Sequence, residues 1–364
     1  MKNQKIDKVF LFSVIFLTVG GFFIFSSASL GLLARSGTQF DSIALTQGLG
    51  LILGFIGMAF TAHLDYNIWR KYAFYIFLAS IILNIIIFIP GLGIEHGGAK
   101  RWLDIGPISL QPSEFLKIGF IIYFAAWLSG VKDKISLFRY SLLPLLVIVA
   151  ILGPILYLQT DTKTLVIIFM AGIAMLLVGG AQWKHIAILG LVSIMAISAL
   201  AYTRPYIKER LFTFVNPASN PQGSGYQIQQ SLIAIGSGQM FGRGFGQSVQ
   251  KFNFLPEPIG DSIFAVQAEE FGFAGSVTLI FVFLFFGFRA LRIASKSTNQ
   301  FGGLLVVGIV ILVLSESFMN IASMLGVIPL SGMPLLFVSH GGTALLLVLA
   351  EVGMILNVSK YQKK

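Results

Sequence analysis

The run SIFAVQAEEFGFAGSVTLIFVFLFFGFRAL, residues 262–291, decides the class of fold. It is apolar over more than the ~20 residues that a helix needs to cross ~30 Å of hydrocarbon. Four acids, Glu257, Asp261, Glu269 and Glu270, stand at or near its start, although the chain has only 15 Asp and Glu. The run predicts a transmembrane helix, and its acidic entrance suggests chemistry where lipid begins.

The composition of the whole chain is typical of an integral membrane protein. The 364 residues are 56% hydrophobic and 11% charged, with a mean hydropathy of +0.85, which excludes an ordinary soluble domain. We expect an all-α polytopic membrane protein with ten transmembrane helices. The predicted helices cover residues 9–29, 43–64, 72–89, 113–129, 138–158, 164–180, 185–202, 262–291, 302–325 and 335–358.

The basic residues predict the orientation of the chain in the membrane. With the N-terminus in the cytoplasm, most of the 25 Lys and Arg fall on cytoplasmic segments, among them Lys2, Lys363 and Lys364. The short outer loops hold few, such as Arg35. This positive-inside pattern predicts that both termini are cytoplasmic. The net charge of +10 then reflects topology and anionic lipid, so nucleic acid is not expected as a partner.

Motifs for metal and disulfide chemistry are missing from the sequence. The chain has no cysteine, its four histidines are scattered, and no H-E-x-x-H motif occurs. We therefore predict no dedicated metal site. No internal repeat is visible, so an inverted-repeat transporter is not supported.

Most connections are short, which predicts a single transmembrane domain over residues 1–364. Two loops on the predicted outer face are longer. The first covers residues 90–112, and the second covers residues 203–261, between the seventh and eighth predicted helices. The second loop is far longer than a connection needs, so we expect function there.

The second loop contains two patterned segments. In TRPYIKERLFTFVNP, helical spacing places Ile207 and Leu211 on one face and Arg204 on the other. This segment is either an amphipathic brace on the bundle or a guide for a lipid substrate. In GSGYQIQQSLIAIGSGQMFGRGFGQSVQK, glycines permit backbone nests that could receive an anion near Arg243 and Lys251. The alternative is a re-entrant or flexible loop that needs small residues.

Asp261 directly precedes an apolar run, and two interpretations are open for it. It either caps the helix that follows or acts as a general base. A lone carboxylate at the edge of a bundle suits base chemistry on a sugar hydroxyl. Glu269 lies eight residues later on about the same helical face, roughly 12 Å away, so the two acids act separately if they act.

The block AKRWLDIGPISLQPSEFLK offers Arg101, Trp102, Glu114 and Lys117. Glu114 fits the first turn of a helix, near its positive end. Lys117 lies one turn into the apolar run, where it could pair with Glu114 or meet a phosphate carried by a lipid. Arg101 beside Trp102 could grip a phosphorylated or sugar-bearing headgroup.

Three further acids have open roles. Asp161, in QTDTKT, is either a turn residue compensated by Lys163 or a substrate contact. Glu316 and Glu351 lie in the ninth and tenth predicted helices. Each is either a buried structural partner or part of a polar path through the membrane.

Four blocks in order carry a family resemblance. They are KRWLDIGPISLQPSEFLK, the glycine-rich segment, FLPEPIGDSIFAVQAEEFG, and NIASMLGVIPLSGMPLLFVSHGGTA at residues 320–344. Together they resemble the SEDS proteins (shape, elongation, division and sporulation), which include FtsW and RodA. The resemblance covers nearly the whole chain. The segments AKRWL and PEPIGDSIFAVQAEE are more similar in sequence to the division branch, FtsW, than to RodA.

The resemblance implies a SEDS-type ten-helix bundle and an inverting glycosyltransferase. Such proteins polymerise lipid II into β-1,4-linked peptidoglycan strands at the outer face of the bacterial cytoplasmic membrane, for cell division or cell shape. Asp261 matches their essential acid, the general base on the 4-hydroxyl of the acceptor GlcNAc. That hydroxyl attacks the anomeric carbon of the donor MurNAc, and undecaprenyl pyrophosphate leaves. Arg101 and Lys117 are assigned to the pyrophosphates, and the other residues expected to bind substrate are Trp102, Glu114, Asp161, Arg210, Lys251, Glu257 and Ser339.

The resemblance also implies partners and shows departures. A class B penicillin-binding protein, a transpeptidase, is the expected partner, together with other division or elongation proteins. A divalent cation, Mg²⁺ or Mn²⁺, could help neutralise the leaving pyrophosphate, but the sequence specifies no ligands for it. The family usually has Gln-Pro-Asp-Leu-Gly-Thr where this chain has QTDTKT. It usually has tyrosine at the position of His340 and glutamine at the position of Glu316.

Two other functions fit the same charges. A lipid II flippase needs a polar route for the headgroup, which Lys117, Glu316 and Glu351 could provide. A non-catalytic scaffold for a penicillin-binding protein would depend on the surfaces of its helices and not on charges in a cavity.

Overall fold

The structure is a computed structural model that describes residues 5–33, 40–96, 99–105, 108–203, 205–216 and 223–362. Five basic residues used above lie outside the described residues: Lys2, Arg35, Arg204, Lys363 and Lys364. Their contribution to the orientation and to the amphipathic face therefore stays a prediction.

Twelve α-helices account for most of the described chain. They are α1 (Lys8–Leu33), α2 (Phe40–His63), α3 (Asn67–Ile86), α4 (Pro112–Gly130), α5 (Leu142–Leu158), α6 (Thr162–Gly179), α7 (Trp183–Thr203), α8 (Pro205–Val215), α9 (Ser224–Ser237), α10 (Ile263–Ser295), α11 (Gln300–Met324) and α12 (Gly342–Ser359). All except α8 and α9 fall on the ten predicted transmembrane runs. The predicted helical bundle is confirmed, with α8 and α9 inside the long second loop.

The surface of the bundle is apolar. Within the described residues, α1, α2, α3, α6, α10, α11 and α12 are long and apolar enough to cross a membrane. Large side chains such as Phe12, Phe60 and Phe288 are more than 60% exposed. Apolar surface on this scale marks contact with lipid, so the chain is a multi-pass membrane protein.

The first long loop, residues 90–112, contains a small three-stranded sheet. Strands β1 (Gly93–His96), β2 (Ala99–Ile105) and β3 (Ile108–Leu110) pair antiparallel in the order β1-β2-β3, with Leu103 opposite both Gly93 and Leu110. The predicted helical fold class is confirmed, and this sheet is a small addition within one loop. The signal was in the sequence, where Gly-Gly and Gly-Pro dipeptides separate short segments with buried Leu103 at their centre.

The last predicted helix begins too early. Residues 335–341 were assigned to it, but α12 starts only at Gly342. Residues 325–341, here called the α11–α12 segment, are non-helical and contain Gly326, Gly332 and Phe337 at φ of 67°, 64° and 68°. Within it, Leu335, Leu336, Phe337 and Val338 are nevertheless buried, so hydrophobicity alone could not distinguish residues 335–341 from a helix.

Contacts between distant helices define the two ends of the bundle. The Asp7 backbone amide donates to Ser359 Oγ at 3.0 Å, and the Arg289 guanidinium lies 2.8 Å from the Asp7 carboxylate. The start of α1, the end of α10 and the end of α12 therefore meet at one end, here called the terminal end. Asp261 precedes α10 and so lies at the opposite end.

Candidate active site

A polar cavity of about 580 Å³ opens at the end of the bundle opposite the terminal end. Its walls come from β2, the start of α4, the turn between α5 and α6, α8, the loop before α10 and the α11–α12 segment. Several residues predicted from the sequence line it, namely Arg101, Trp102, Glu114, Arg210, Glu257 and Asp261. The structure therefore brings together residues from both long loops.

Hydrogen bonds from neighbouring segments fix the backbone around Asp261. His340 N donates to Ile259 O at 2.7 Å, Ser339 Oγ donates to Gly260 O at 2.8 Å, and Asn320 Nδ2 donates to Asp261 O at 2.7 Å. The N-cap of α10 is Ser262, so Asp261 is not the cap that one interpretation predicted. Within the described residues, no protein donor occupies the half-buried Asp261 carboxylate. A fixed carboxylate with free acceptor positions can receive a proton from a ligand.

Two cationic side chains lie against the same wall as Asp261. Arg210 Nη1 donates to Leu330 O at 2.6 Å, and Lys163 Nζ donates to Gly332 O. A Cβ placed on Gly332 would lie 3.5 Å from both Asp261 Oδ2 and Arg210 Nη2, so this glycine keeps open the space between the carboxylate of Asp261 and the guanidinium of Arg210. Lys163 was not predicted as a site residue, because its neighbour Asp161 suggested a local pair.

Arg101 reaches from β2 to the turn between α5 and α6. Its Nε donates to Gln159 O at 3.4 Å, and its Nη2 donates to Thr160 O. Trp102, next to it on β2, also lines the cavity. The small sheet thus places a guanidinium and an indole over the cavity, which is the combination that favours a charged headgroup with a sugar.

Lys117 occupies the floor beneath the cavity and does not line it. Its Nζ lies 2.8 Å from Glu114 Oε1 and also donates to Glu316 Oε1, and Lys117 is only 2% exposed. The pair with Glu114 is one of the two predicted possibilities. Glu114 and Glu316 face the cavity above it, while Glu351 is buried, with an Oε2 that has no partner in the described chain.

Three other predicted substrate contacts lie outside the cavity. Lys251 is fully buried and its Nζ lies 2.8 Å from Glu270 Oε1. Asp161, also fully buried, accepts from Thr164 Oγ1 at 2.9 Å and so does not pair with Lys163. Ser339 is 6% exposed, and its Oγ donates to the Gly260 carbonyl as described above. None of the three lines the cavity. Lys251 Nζ and Ser339 Oγ each donate to a backbone carbonyl, of Gly246 and Gly260, whereas the Asp161 carboxylate accepts from a side chain of α6.

The glycine-rich loop does receive an anion, which is the Glu269 carboxylate of the same chain. Glu269 accepts from Val249 N at 3.1 Å, from Gln250 N at 3.2 Å and from Ser248 Oγ at 2.6 Å. Two of the acids at the start of the 262–291 run, Glu269 and Glu270, are therefore explained by packing, because they fix this loop onto α10. Glu257 and Asp261 face the cavity instead.

His340 lines the cavity at the end of the α11–α12 segment, outside the transmembrane helices. Its ring stacks on Phe25, with centroids 5.9 Å apart, and its Nε2 is buried without a partner in the described chain. Burial lowers the pKa of His340, so the ring is neutral near pH 7. The sequence marked this residue only as a departure from a family pattern.

The described residues contain no cluster of three or more His, Asp or Glu side chains that could hold a metal ion. The acids that line the cavity are Glu114, Glu257, Asp261 and Glu316. Of these, Glu114 and Glu316 are committed to Lys117. The side chains therefore do not form a complete metal site of their own.

Fold and site define a class of protein: a helical, multi-pass membrane protein with a charged cavity at one end. The family model described as "Cell cycle protein", which covers FtsW, RodA and SpoVE, matches residues 7–364. The chain belongs to this family. The resemblance seen in the four sequence blocks is thereby confirmed.

Relatives of known name match along nearly their whole length. "Stage V sporulation protein E" of Bacillus subtilis (strain 168) is 35% identical, covering 97% of this chain and 96% of that protein. "Probable peptidoglycan glycosyltransferase FtsW" of Geobacter sp. (strain M18) is 35% identical with the same two coverages.

Solved structures share the fold. One chain comes from work on the "structural coordination of polymerization and crosslinking by a peptidoglycan synthase complex". It matches with a TM-score of 0.79 at 24% identity, covering 98% of both chains. The rod shape-determining protein RodA of Thermus thermophilus matches with a TM-score of 0.68 at 23% identity, covering 99% of this chain and 98% of that one.

Proposed function

We propose that this protein is a peptidoglycan glycosyltransferase that polymerises lipid II. The observation that carries the proposal is Asp261, a carboxylate fixed by its backbone in a cavity whose walls also carry Arg101, Lys163 and Arg210. The enzyme names of relatives at 35% identity support the same activity. The cavity would face the outside of the bacterial cytoplasmic membrane, with both termini in the cytoplasm.

The reaction follows from the charges around the cavity. The cations hold the donor through its pyrophosphate, and Asp261 accepts the proton of the acceptor 4-hydroxyl. The hydroxyl oxygen bonds to the anomeric carbon of the donor as the bond from that carbon to the pyrophosphate oxygen breaks. Undecaprenyl pyrophosphate leaves with the bonding electrons. One displacement inverts the α-linked donor into a β-1,4 linkage.

We assign the pyrophosphate to Arg101, Lys163 and Arg210. Lys117, the predicted contact, already has Glu114 and Glu316 as partners, and a third anion would have to displace one of them. Lys117 then acts by positioning those two carboxylates on the cavity floor. We likewise assign Lys251 and Ser339 to holding the backbone, and Asp161 to a contact with Thr164 at the start of α6, in place of substrate contacts.

A divalent cation stays a proposal that rests on the family resemblance. Mg²⁺ is commonly held by one or two carboxylates together with substrate phosphates, so the missing protein cluster does not conflict with a cation that arrives with the pyrophosphate. Asp261 and Glu257 are the cavity acids without a committed cationic partner in the described chain. Addition of EDTA followed by Mg²⁺ or Mn²⁺ tests the requirement.

We propose a class B penicillin-binding protein as the partner. A solved relative of this fold was studied in a complex that coordinates polymerization and crosslinking, which supports the pairing. Apolar faces of the bundle offer surface for a partner helix in the membrane.

The flippase alternative is less well supported by the geometry. A route for a headgroup needs polar groups open to a pathway, whereas Lys117, Glu316 and Glu351 are each less than 5% exposed. The scaffold alternative does not account for the convergence of charges on one cavity.

Polymerisation of purified lipid II by the protein with its cognate penicillin-binding protein tests the proposal. Wild type should give glycan polymer, folded Asp261→Asn none, and Asp133→Asn, an exposed acid outside the cavity, the wild-type amount. Equal polymer from wild type and Asp261→Asn would remove Asp261 from the chemistry. No polymer from any of them, with an active partner, would place the flippase or scaffold ahead.

A further inference from the structure

A second cavity lies at the terminal end of the bundle, between α1, α2 and α12. It measures about 450 Å³ and is here called the basic pocket. Lys5, Lys8, His63 and Lys360 line it, and no acid is among its lining residues in the described chain. Four basic side chains from three segments therefore converge on one hollow.

The remaining walls of the basic pocket are apolar. Ile6, Leu11, Met58 and Leu356 line it together with two alanines. Leu11, Met58 and Leu356 belong to helices that continue into the transmembrane bundle. The hollow thus has a basic rim at the end of the bundle and an apolar floor toward the membrane interior, which matches a molecule with a charged head and an apolar chain.

The nearby acids do not neutralise the positive charge of the basic rim. Asp7 pairs with Arg289 at 2.8 Å and also accepts from Phe10 N at 3.0 Å. Asp65 accepts from the backbone and side chain of Asn67. No carboxylate of the described chain lies within 4.0 Å of the ammonium of Lys5 or Lys8, and both side chains are exposed.

Two of the basic residues are held in place by the backbone. Lys360 Nζ donates to Ala62 O at 2.7 Å, and His63 Nδ1 lies 2.7 Å from Ala59 O. Both acceptors belong to the last turn of α2. Lys360 thus joins the ends of α2 and α12, while Lys5 and Lys8 supply charge that the protein leaves unneutralised.

We propose that the basic pocket binds an anionic phospholipid of the leaflet at the terminal end. Its phosphate lies between Lys5, Lys8 and Lys360, and the start of an acyl chain packs on Leu11 and Met58. Basic pockets between transmembrane helices bind anionic lipid headgroups. This lipid would join three elements at the end remote from the active site, so its binding is separate from the proposed glycosyltransferase reaction.

Native mass spectrometry of the full chain in detergent, with added dioleoylphosphatidylglycerol, tests this proposal. Wild type should retain the lipid, and the double variant Lys5→Gln, Lys8→Gln should bind it roughly thirty-fold more weakly. The matched control is Lys132→Gln, Lys184→Gln, which removes the same charge from exposed lysines outside the basic pocket. The control should bind like wild type, and dioleoylphosphatidylcholine should bind weakly to all three proteins.

Two outcomes would overturn the proposal. Equal retention of phosphatidylglycerol by wild type and the Lys5, Lys8 variant would show that the basic pocket is not the site. If glycerol phosphate, which has no acyl chains, displaced the lipid at equal concentration, the hollow would be a site for free phosphate compounds and not for a lipid. Since no polymerisation is measured, either result leaves the proposed enzyme activity untouched.

Discussion

The side-chain amide of Asn320 donates to the backbone carbonyls of Asp261 and Met333, at 2.7 and 2.6 Å. One buried side chain of α11 thus joins the residue before α10 to the α11–α12 segment. These two segments form adjacent walls of the cavity. Asn320 therefore fixes the backbone of the proposed base while it does not itself line the cavity, and we predict that it is a positioning residue.

Replacement of this amide by a carboxylate of the same shape should disturb the site. Asn320→Asp removes the donor and leaves two carbonyls without it, at a cost of about 1–3 kcal/mol for each buried group left unsatisfied. We expect polymerisation per folded molecule to fall at least roughly tenfold as Asp261 loses its anchor. The measurement is lipid II polymerisation beside a thermal unfolding curve.

Asn357→Asp is the matched control for this variant. Asn357 is equally buried at the terminal end, and its amide donates to Ala62 O at 2.8 Å. This control should lower stability and keep activity per folded molecule. If Asn320→Asp lowers stability but keeps activity per folded molecule, as the control should, the positioning role is wrong.

Gly332 separates Asp261 from Arg210, and alanine at this position should reduce activity. The added Cβ would lie 3.5 Å from Asp261 Oδ2 and from Arg210 Nη2, in space that the proposed substrate needs. The variant also carries backbone strain, since φ is +64°. We expect a loss of kcat/KM that is larger than the loss of stability explains.

Gly326→Ala separates strain from obstruction. Gly326 has nearly the same backbone angle, φ +67°, but its added Cβ would meet only Ile228 and Leu232, each at 3.9 Å. Both variants should be destabilised to a similar degree, and Gly332→Ala alone should lose activity in the glycan assay. Equal activity in the two variants would contradict a substrate path beside Gly332.

Much of the fold could be predicted because lipid imposes a simple rule on helices. Runs of ~20 apolar residues located all ten long helices. The rule fails where an apolar segment is buried in protein without being helical, as in residues 335–341. There Pro334 and the left-handed Phe337 interrupt the helix, while the buried side chains preserve the hydropathy signal.

The site was predictable only for residues whose chemistry shows at their own position. Asp261 and Arg101 were predicted because an acid and a guanidinium at the edge of a membrane are candidates for function, and both line the cavity. The position of Lys251 could not be predicted, since its partner Glu270 is provided by folding of the glycine-rich loop onto α10. Thr160 explains one departure from the family pattern: its φ of 59° is closed to proline, which the family usually has there.

The buried cluster around Lys117 predicts a non-additive effect on stability. Lys117→Met leaves Glu114 and Glu316 in the membrane without their cation, which should cost about 3–5 kcal/mol. Glu316→Gln removes one of these charges and places the family's usual residue there. We therefore expect the double variant to be more stable than Lys117→Met alone.

A double-mutant cycle of thermal unfolding measures this coupling. Wild type, both single variants and the double variant are compared in the same detergent. An interaction energy near zero would mean that Glu316 does not share the charge of Lys117, contrary to the geometry.

His340 predicts how stability depends on pH. Burial lowers its pKa in the folded protein, so the unfolded chain takes up a proton at a higher pH than the folded one. Above pH ~6.5 the ring is neutral in both states and costs the folded protein no stability. As the pH falls from there toward the lowered pKa, the unfolded chain binds the proton first, so the free energy of unfolding falls. His340→Tyr, the residue usual in the family, has no such proton to bind. The unfolding temperature of wild type should therefore fall more than that of His340→Tyr between pH 7.5 and pH 5.5, and parallel falls would show that the buried ring is not what titrates.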